Sequence, residues 1–285
     1  MKSALDCIPC MVSHVLQVSG MVTDCPDTRK KIVKQAMARI ADIDFDSTPP
    51  EMARTIHQIV RELTGADDPY RELKDQSTKL ALELLPELET MVETAADKFE
   101  TIVRLVIAGN IIDFGADSNF QLSTAKKRIM EVLSMPIDRE AIRRLHDKMM
   151  TAQHILYLCD NCGEAVIDRL LIRPYRHKIT IAVRGGAILN DVTRREATQS
   201  GLDTLAPLID SGDRTPGTVL KFTGKDFQAA FQAADLIISK GQGNYETLSD
   251  TDRPICFLLR VKCPEVAKYL DCASLGSLYV IPRNF

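Results

Sequence analysis

Apolar residues in the first 150 positions recur at helical spacing; from about residue 154 they gather instead into short uninterrupted runs. The first pattern predicts helices. Met11, Val12, Val15 and Leu16 form one stripe, and Ile32, Ala36, Ala38 and Ile40 form a second after Pro26. Thr48 and Pro49 read as an N-cap and first-turn proline for a helix through Ile56, Ile59 and Val60, which Gly65 would end. Leu73, Leu80, Leu84, Leu88 and Met91 mark a long helix with Pro86 as a bend point. Residues 99–112 suit a buried helix, and Ile142, Leu145 and Met149 belong to the last helix of this half.

Beyond it, partly β-branched runs occur at 154–159, 178–183, 218–222, 235–239, 255–261 and 278–281, with amphipathic segments of helix length between most of them. Strand, helix and strand in alternation predict an α/β fold: a mostly parallel sheet with helices on its faces. The change of pattern divides the chain into a helical domain over 1–150 and an α/β domain over 151–285. Without a Pro/Gly-rich linker between them, the two halves should pack tightly.

Composition narrows the function. The chain has 285 residues, 45% hydrophobic and 26% charged, which is globular. A formal net charge of −3 recruits neither nucleic acid nor anionic lipid, and the absence of Trp argues against base-stacking platforms. No apolar run is long enough to span a bilayer and the first residues lack a signal-peptide core, so the cytoplasm is the expected location and no membrane partner is expected. Eight cysteines in that setting point to free thiols or metal ligands. The pattern fixes no oligomeric state.

Chemistry should collect at the carboxyl ends of the parallel strands. Residues 154–170, HILYLCDNCGEAVIDRL, read as a buried strand, a turn and a helix. Asp160 and Asn161 in that turn offer oxygen ligands to a hard cation, although an Asx turn capping the next helix would use the same residues. In VRGGAILNDVTRREA, Asp191 is a loop carboxylate near a helix start and reads equally as an N-cap. Two carboxylates and an amide leave room around a magnesium-like ion for water and phosphate. In SKGQGNYE, Lys240 ends a strand run and Gly241, Gln242, Gly243 and Asn244 could approach an anion, with Lys240 as a point charge; a solvated turn is the plainer use. Asn110 and Asp113 share a face of the most apolar helix of the first half, either as an end cap near Gly115 or as a reach toward substrate. Glu164 could orient water or metal, with a helix-dipole role preferred. Walker and dinucleotide fingerprints are absent.

Cys7 and Cys10, with His14 one turn on, could share a helix face and hold Zn²⁺, with Cys25, Cys263 or Cys272 completing the set. Buried or simply reduced cysteines explain the same spacing. Cys159 and Cys162 flank the Asp160-Asn161 pair, but no histidine follows to activate a thiol nucleophile.

The order CIPC, GNIID, DNCGE, LNDVT, SKGQGNYE and RVKCP resembles the metal-dependent damage-control phosphatases, formerly a domain-of-unknown-function family, in their prokaryotic CxxC-bearing branch. The resemblance runs over nearly the whole chain. It implies a helical part joined to a Rossmann-like α/β part, and a phosphomonoesterase using Mg²⁺, Mn²⁺, Co²⁺ or Ni²⁺. It implies Asp160, Asn161 and Asp191 as metal ligands, Lys240 near phosphate, and Asn110 and Asp113 at the same site, with Gly241 and Asn244 in the substrate turn. Substrates of such a family include sugar phosphates and phosphopantetheine-like compounds, often damaged metabolites. In this reading Asp160, Asp191 and Lys240 carry catalysis, Asp160 as ligand in preference to forming an aspartyl-phosphate. A non-catalytic phosphometabolite-binding protein and a zinc- or thiol-centred interaction protein are the competing classes.

Overall fold

In the computed structural model, which describes residues 1–111, 122–271 and 274–285, seven helices precede the first strand among the described residues. They are α1 (Cys7–Val22), α2 (Pro26–Ala41), α3 (Pro49–Thr64), α4 (Arg71–Thr94), α5 (Lys98–Ala108), α6 (Leu122–Leu133) and α7 (Arg139–Thr151). The α/β part follows as β1 (Ile155–Leu158), α8 (Cys162–Tyr175), β2 (Ile179–Val183), α9 (Arg194–Gln199), β3 (Leu208–Asp210), α10 (Lys225–Ala233), β4 (Leu236–Lys240), α11 (Gln242–Leu248), β5 (Ile255–Arg260), α12 (Pro264–Tyr269) and β6 (Leu278–Arg283). Local signals set several boundaries. Thr48 and Glu51 close a capping box at the start of α3, and Gly65 ends it at φ 69°, a backbone region that favours glycine. Helix α4 runs on through Pro86.

The strands form one sheet in the order β3-β2-β1-β4-β5-β6, parallel except for β6 against β5. This is a Rossmann-like order, and its direction reverses between β1 and β4, where ligands of such sheets bind. The run at 218–222, expected as a strand, is instead a short 3-10 turn over Leu220–Phe222. The strand in its place is β3, three half-buried residues at the sheet edge after Pro207. Too short to show as an apolar run, β3 pairs with β2, while Thr218 is drawn into side-chain hydrogen bonds near the rim.

Side chains alternate across the sheet. Tyr157, Ile181, Ile238 and Leu258 face α4, α5, α7 and α8 in one continuous apolar cluster. Leu156, Ile237, Phe257 and Leu259 face Phe227 and Phe231 of α10, Tyr245 of α11 and Val266 of α12. Helices α1 to α3 hold a third cluster of their own, centred on Val15, Val18, Ile32, Ile56 and Val60. No helix among the described residues is long and apolar enough to cross a membrane.

Beside the third cluster lies a histidine pair, His57 buried and His14 half-buried. His14 Nε2 and His57 Nε2 lie 2.8 Å apart, and the His57 ring packs on Tyr70. Burial first, then the positive charge of His14, Arg61 and Lys74, pushes the His57 imidazole down to about 3 from its ordinary 6.5. The unfolded chain therefore binds a proton here that the folded chain refuses, and stability falls as pH drops below about 6.5. At pH 5 this amounts to about 2 kcal/mol. Urea unfolding at pH 7 and pH 5 should show that loss, and His57→Gln should remove most of the difference between the two pH values.

Candidate functional site

Two loops meet at the rim. The segment after β1 and the segment before α9 pair as backbone: Val192 N–H donates to Asp160 O at 2.9 Å, Cys162 N–H donates to Asn190 O at 3.0 Å, and Asn161 and Asp191 form an isolated antiparallel bridge. Asp160, Asn161 and Asp191, 31 positions apart in sequence at the extremes, are thereby neighbours at the carboxyl ends of β1 and β2. They line a cavity of about 300 Å³ with Asn110, Gln242, Gly243 and Lys262. Its opposite wall comes from Cys7, Cys10 and Met11 of α1 and Pro49, Pro50 and Ala53 at the start of α3.

Amides tie the carboxylates together. Asn110, in the 3-10 turn after α5, donates through Nδ2 to Asp160 Oδ2 at 3.0 Å and to Glu164 Oε2 at 2.9 Å. Asn161 Nδ2 donates to the same two oxygens at 2.8 and 3.2 Å. The turn can reach because residue 109 is glycine: a Cβ there would sit 3.2 Å from the Glu164 backbone. Asp191 accepts from Arg184 Nε at 2.6 Å, and both side chains are buried.

Lys240, expected to offer its charge to phosphate, points inward. Its ammonium is fully buried and donates to Glu164 Oε1 and Asp168 Oδ1, each at 2.5 Å, and to Val106 O at 2.9 Å. Burial pulls the Lys240 ammonium down, but Asp168 and Glu164 together outweigh it and hold Lys240 protonated above the ordinary lysine range. Burial outweighs the pull of Lys240 on Asp168, whose carboxyl rises to about 6. Lys240 is thus the counter-ion of the floor beneath the cavity. Asn244, expected to touch substrate, is also fully buried: its Oδ1 accepts from Thr218 Oγ1 at 2.8 Å and Arg184 at 3.3 Å, while Nδ2 donates to Lys240 O at 2.8 Å. Buried polar side chains must be satisfied, and those of Lys240 and Asn244 are. Gly241 serves by its lack of a side chain. At φ 80° it lies so close to Asp160 that a Cβ would fall 1.9 Å from Oδ2.

The zinc expectation changes. His14 pairs with His57 beside the helical cluster and leaves Cys7 and Cys10. Cys25 is exposed at the start of α2, beside Asp27 and Thr28. Cys263 does share the cavity wall with Cys7 and Cys10. Asp113 and Cys272 lie outside the described residues. Among the described residues, no three His, Cys, Asp or Glu side chains converge as a metal cage. Cys159 and Cys162 are buried, and their thiols are pushed well above the usual range by desolvation, so neither is a poised nucleophile.

The donor set at the rim is hard: the carboxylates of Asp160 and Asp191 and the amide of Asn161. Asp160 is pushed up first by desolvation and then by the charges of Glu164 and Asp191, with Arg184 and Lys262 opposing. Glu164, Asp168 and Asp191 are buried alongside it, four carboxylates against the two buried cations Lys240 and Arg184. An excess of buried negative charge around oxygen donors fits a divalent cation. Arg184 and Lys262 carry parts of this site that the sequence reading passed over, while Glu164, preferred there as a helix-dipole partner, is held by two amides and Lys240. For Glu164 the signal was present, since a fourth residue after Asp160 reaches back over the first turn of α8.

Comparison with known proteins identifies the family and the fold. Residues 3–276 match the family described as the damage-control phosphatase ARMT1-like domain. A damage-control phosphatase of Pyrococcus horikoshii is 32% identical, with 100% of this chain and 99% of that protein covered. One from Archaeoglobus fulgidus is 32% identical over 94% of this chain and 95% of its own length. The crystal structure of a Pyrococcus horikoshii protein of the same former unknown-function family superposes with a TM-score of 0.89 at 32% identity, covering 99% of each chain.

Lys240→Met should leave Glu164 and Asp168 as uncompensated buried charge and destabilise the fold by about 3–5 kcal/mol in urea unfolding. Gly241→Ala should displace the Asp160 carboxylate from its amide partners, visible as a shifted Asp160 side chain in a crystal structure of the variant.

Proposed function

The chain belongs to the damage-control phosphatase ARMT1-like family, and from that premise we propose that it is a metal-dependent phosphomonoesterase acting on small phosphorylated metabolites. Sugar phosphates and phosphopantetheine-like compounds, damaged ones included, are the substrate classes of this reading. The observation that carries it is the backbone pairing of residues 160–162 with 190–192, which gathers Asp160, Asn161 and Asp191 on the floor of one cavity.

Asp160, Asn161 and Asp191 would hold a divalent cation, which when bound supplies Lewis acidity toward a phosphoryl oxygen and the attacking water. The protein's own residues do the rest. Asn110 and Asn161 fix the Asp160 carboxylate by donating to Oδ2, so its other oxygen is oriented by two amides at once. Arg184 fixes Asp191 in the same way, and Asn244 and Thr218 fix Arg184. Lys240 balances Glu164 below them, so the floor stays ordered with carboxylates this close. Lys262 projects at the cavity wall near Asp160 and is the cation suited to the phosphate of the substrate. The α1–α3 wall shields the reacting group from bulk water.

Phosphate release from a panel of phosphoesters should require added Mg²⁺, Mn²⁺, Co²⁺ or Ni²⁺ and stop with chelator. Asp160→Asn and Asp191→Asn should each lower kcat by about a hundredfold or more while the protein remains folded by circular dichroism. Lys262→Ala should raise KM about tenfold, the loss of one charge-assisted contact. Saturable phosphoester binding without phosphate release under any of these metals would make the protein a binding protein instead.

A further inference from the structure

Cys7, Cys10 and Cys263 line the same cavity as Asp160 and Asp191, and the proposed reaction gives them no task. Cys7 and Cys10 are one turn apart at the start of α1, which sets their Cβ atoms about 5–6 Å apart. Cys263 is the N-cap of α12. The Cys263 thiol is close enough to Cys7 and Cys10 to act electrostatically on both, and Asp6, just before α1, pairs with Lys268 in the last turn of α12 at 3.3 Å. All three are free thiols, with Cys10 exposed, Cys263 half-buried and Cys7 buried. The cluster therefore spans two separate elements across the cavity wall and offers one thiol to solvent.

We propose that these cysteines are a redox switch, in which two-electron oxidation joins Cys263 to the Cys7–Cys10 turn and closes the cavity. The oxidant is a low-molecular-weight disulfide of the glutathione class. Cys10 loses its proton to water, and its thiolate attacks one sulfur of that disulfide, giving a mixed disulfide and expelling one small thiolate. Cys263, deprotonated in turn, attacks the Cys10 sulfur, expels the second small thiolate and leaves a protein disulfide. Two protein thiols are oxidised, one small disulfide is reduced, and the two protons end on the two small thiols. A disulfide needs Cα atoms about 4.4–6.8 Å apart, so the bond draws the starts of α1 and α12 together across the cavity wall.

The environment gives the switch its character. Desolvation, then the neighbouring thiols and Glu246, hold Cys7 and Cys10 protonated above the usual thiol range. Such thiols react slowly at neutral pH, and a reduced form that gains little from ionisation leaves the disulfide hard to reverse once made. The switch would answer sustained oxidation and ignore brief exposure.

The thiol chemistry stands by itself; its effect on turnover rests on the phosphatase reading. The test incubates reduced full-length protein with excess oxidised glutathione, blocks remaining thiols, and measures intact mass, a non-reducing peptide map and metal-dependent phosphate release. The expected result is loss of two hydrogens, a peptide linking Cys263 to Cys7 or Cys10, loss of most phosphate release, and recovery with dithiothreitol. Cys263→Ser should be as active as wild type when reduced and should keep that activity in oxidised glutathione. Stable glutathione adducts, a bond confined to Cys7 and Cys10, or a cross-link that leaves an active enzyme active would each overturn the proposal. A reduced protein inactive on every phosphoester and metal would count against the phosphatase reading, while a map without the Cys263 link would still overturn the switch.

Discussion

A lysine ammonium with no solvent contact holds this protein's centre together. Lys240 closes β4, and its three acceptors come from α5 and α8, so one charge fixes a strand end, a helix end and the first two turns of another helix. Burying that charge alone would cost far more than any packing gain returns, and so would burying Glu164 or Asp168. Each is tolerable only because the others are there. The arrangement is a poor source of net stability but a strict source of registration: a shift of α8 along the sheet would strand all three. Since Asp160 and Asn161 lead directly into α8, the same constraint sets the cavity floor.

Above that floor the polar groups are layered. Amides from Asn110 and Asn161 bridge Asp160 to Glu164, and Arg184 carries Asp191 from the neighbouring strand end. Donors thus face every carboxylate from the protein side, leaving the cavity side for what binds there. The α1–α3 cluster has a core separate from the sheet and reaches the opposite wall through Met11. Floor and wall therefore belong to different apolar clusters, while α4, α5 and α7 share theirs with the sheet.

Much of the fold was legible because its signals are local. Thr48-Pro49, Gly65 and Pro26 mark helix ends by backbone chemistry that acts within one turn. The buried strands β1, β4 and β5 show as apolar runs because both faces of a parallel sheet are covered. The edge strand β3 did not show, since three half-exposed residues carry no run, whereas residues 218–222 carried one without pairing. At the rim, Asp160, Asn161 and Asp191 were legible from their position after strand runs. What a lysine or amide in such a turn does was not. Lys240 and Asn244 both turn into the interior, and the deciding partners, Asp168 and Arg184, are more than fifty residues away. His14 was assigned to the cysteines by helix spacing, but its partner His57 lies on another helix, which no spacing rule reaches.

The strand order has a temporal consequence. The central strand β1 joins β2 on one flank and β4 on the other, and the bond from Lys240 to Glu164 spans 76 positions of chain. Closing a loop of that size must precede any reward from the contacts it permits, which makes such pairings slow. During synthesis, Asp160 and Asp191 can meet early, but Glu164 and Asp168 of α8 lack their counter-ion until β4 arrives. The pocket comes into being late, at a stage when most of the polypeptide already has its shape.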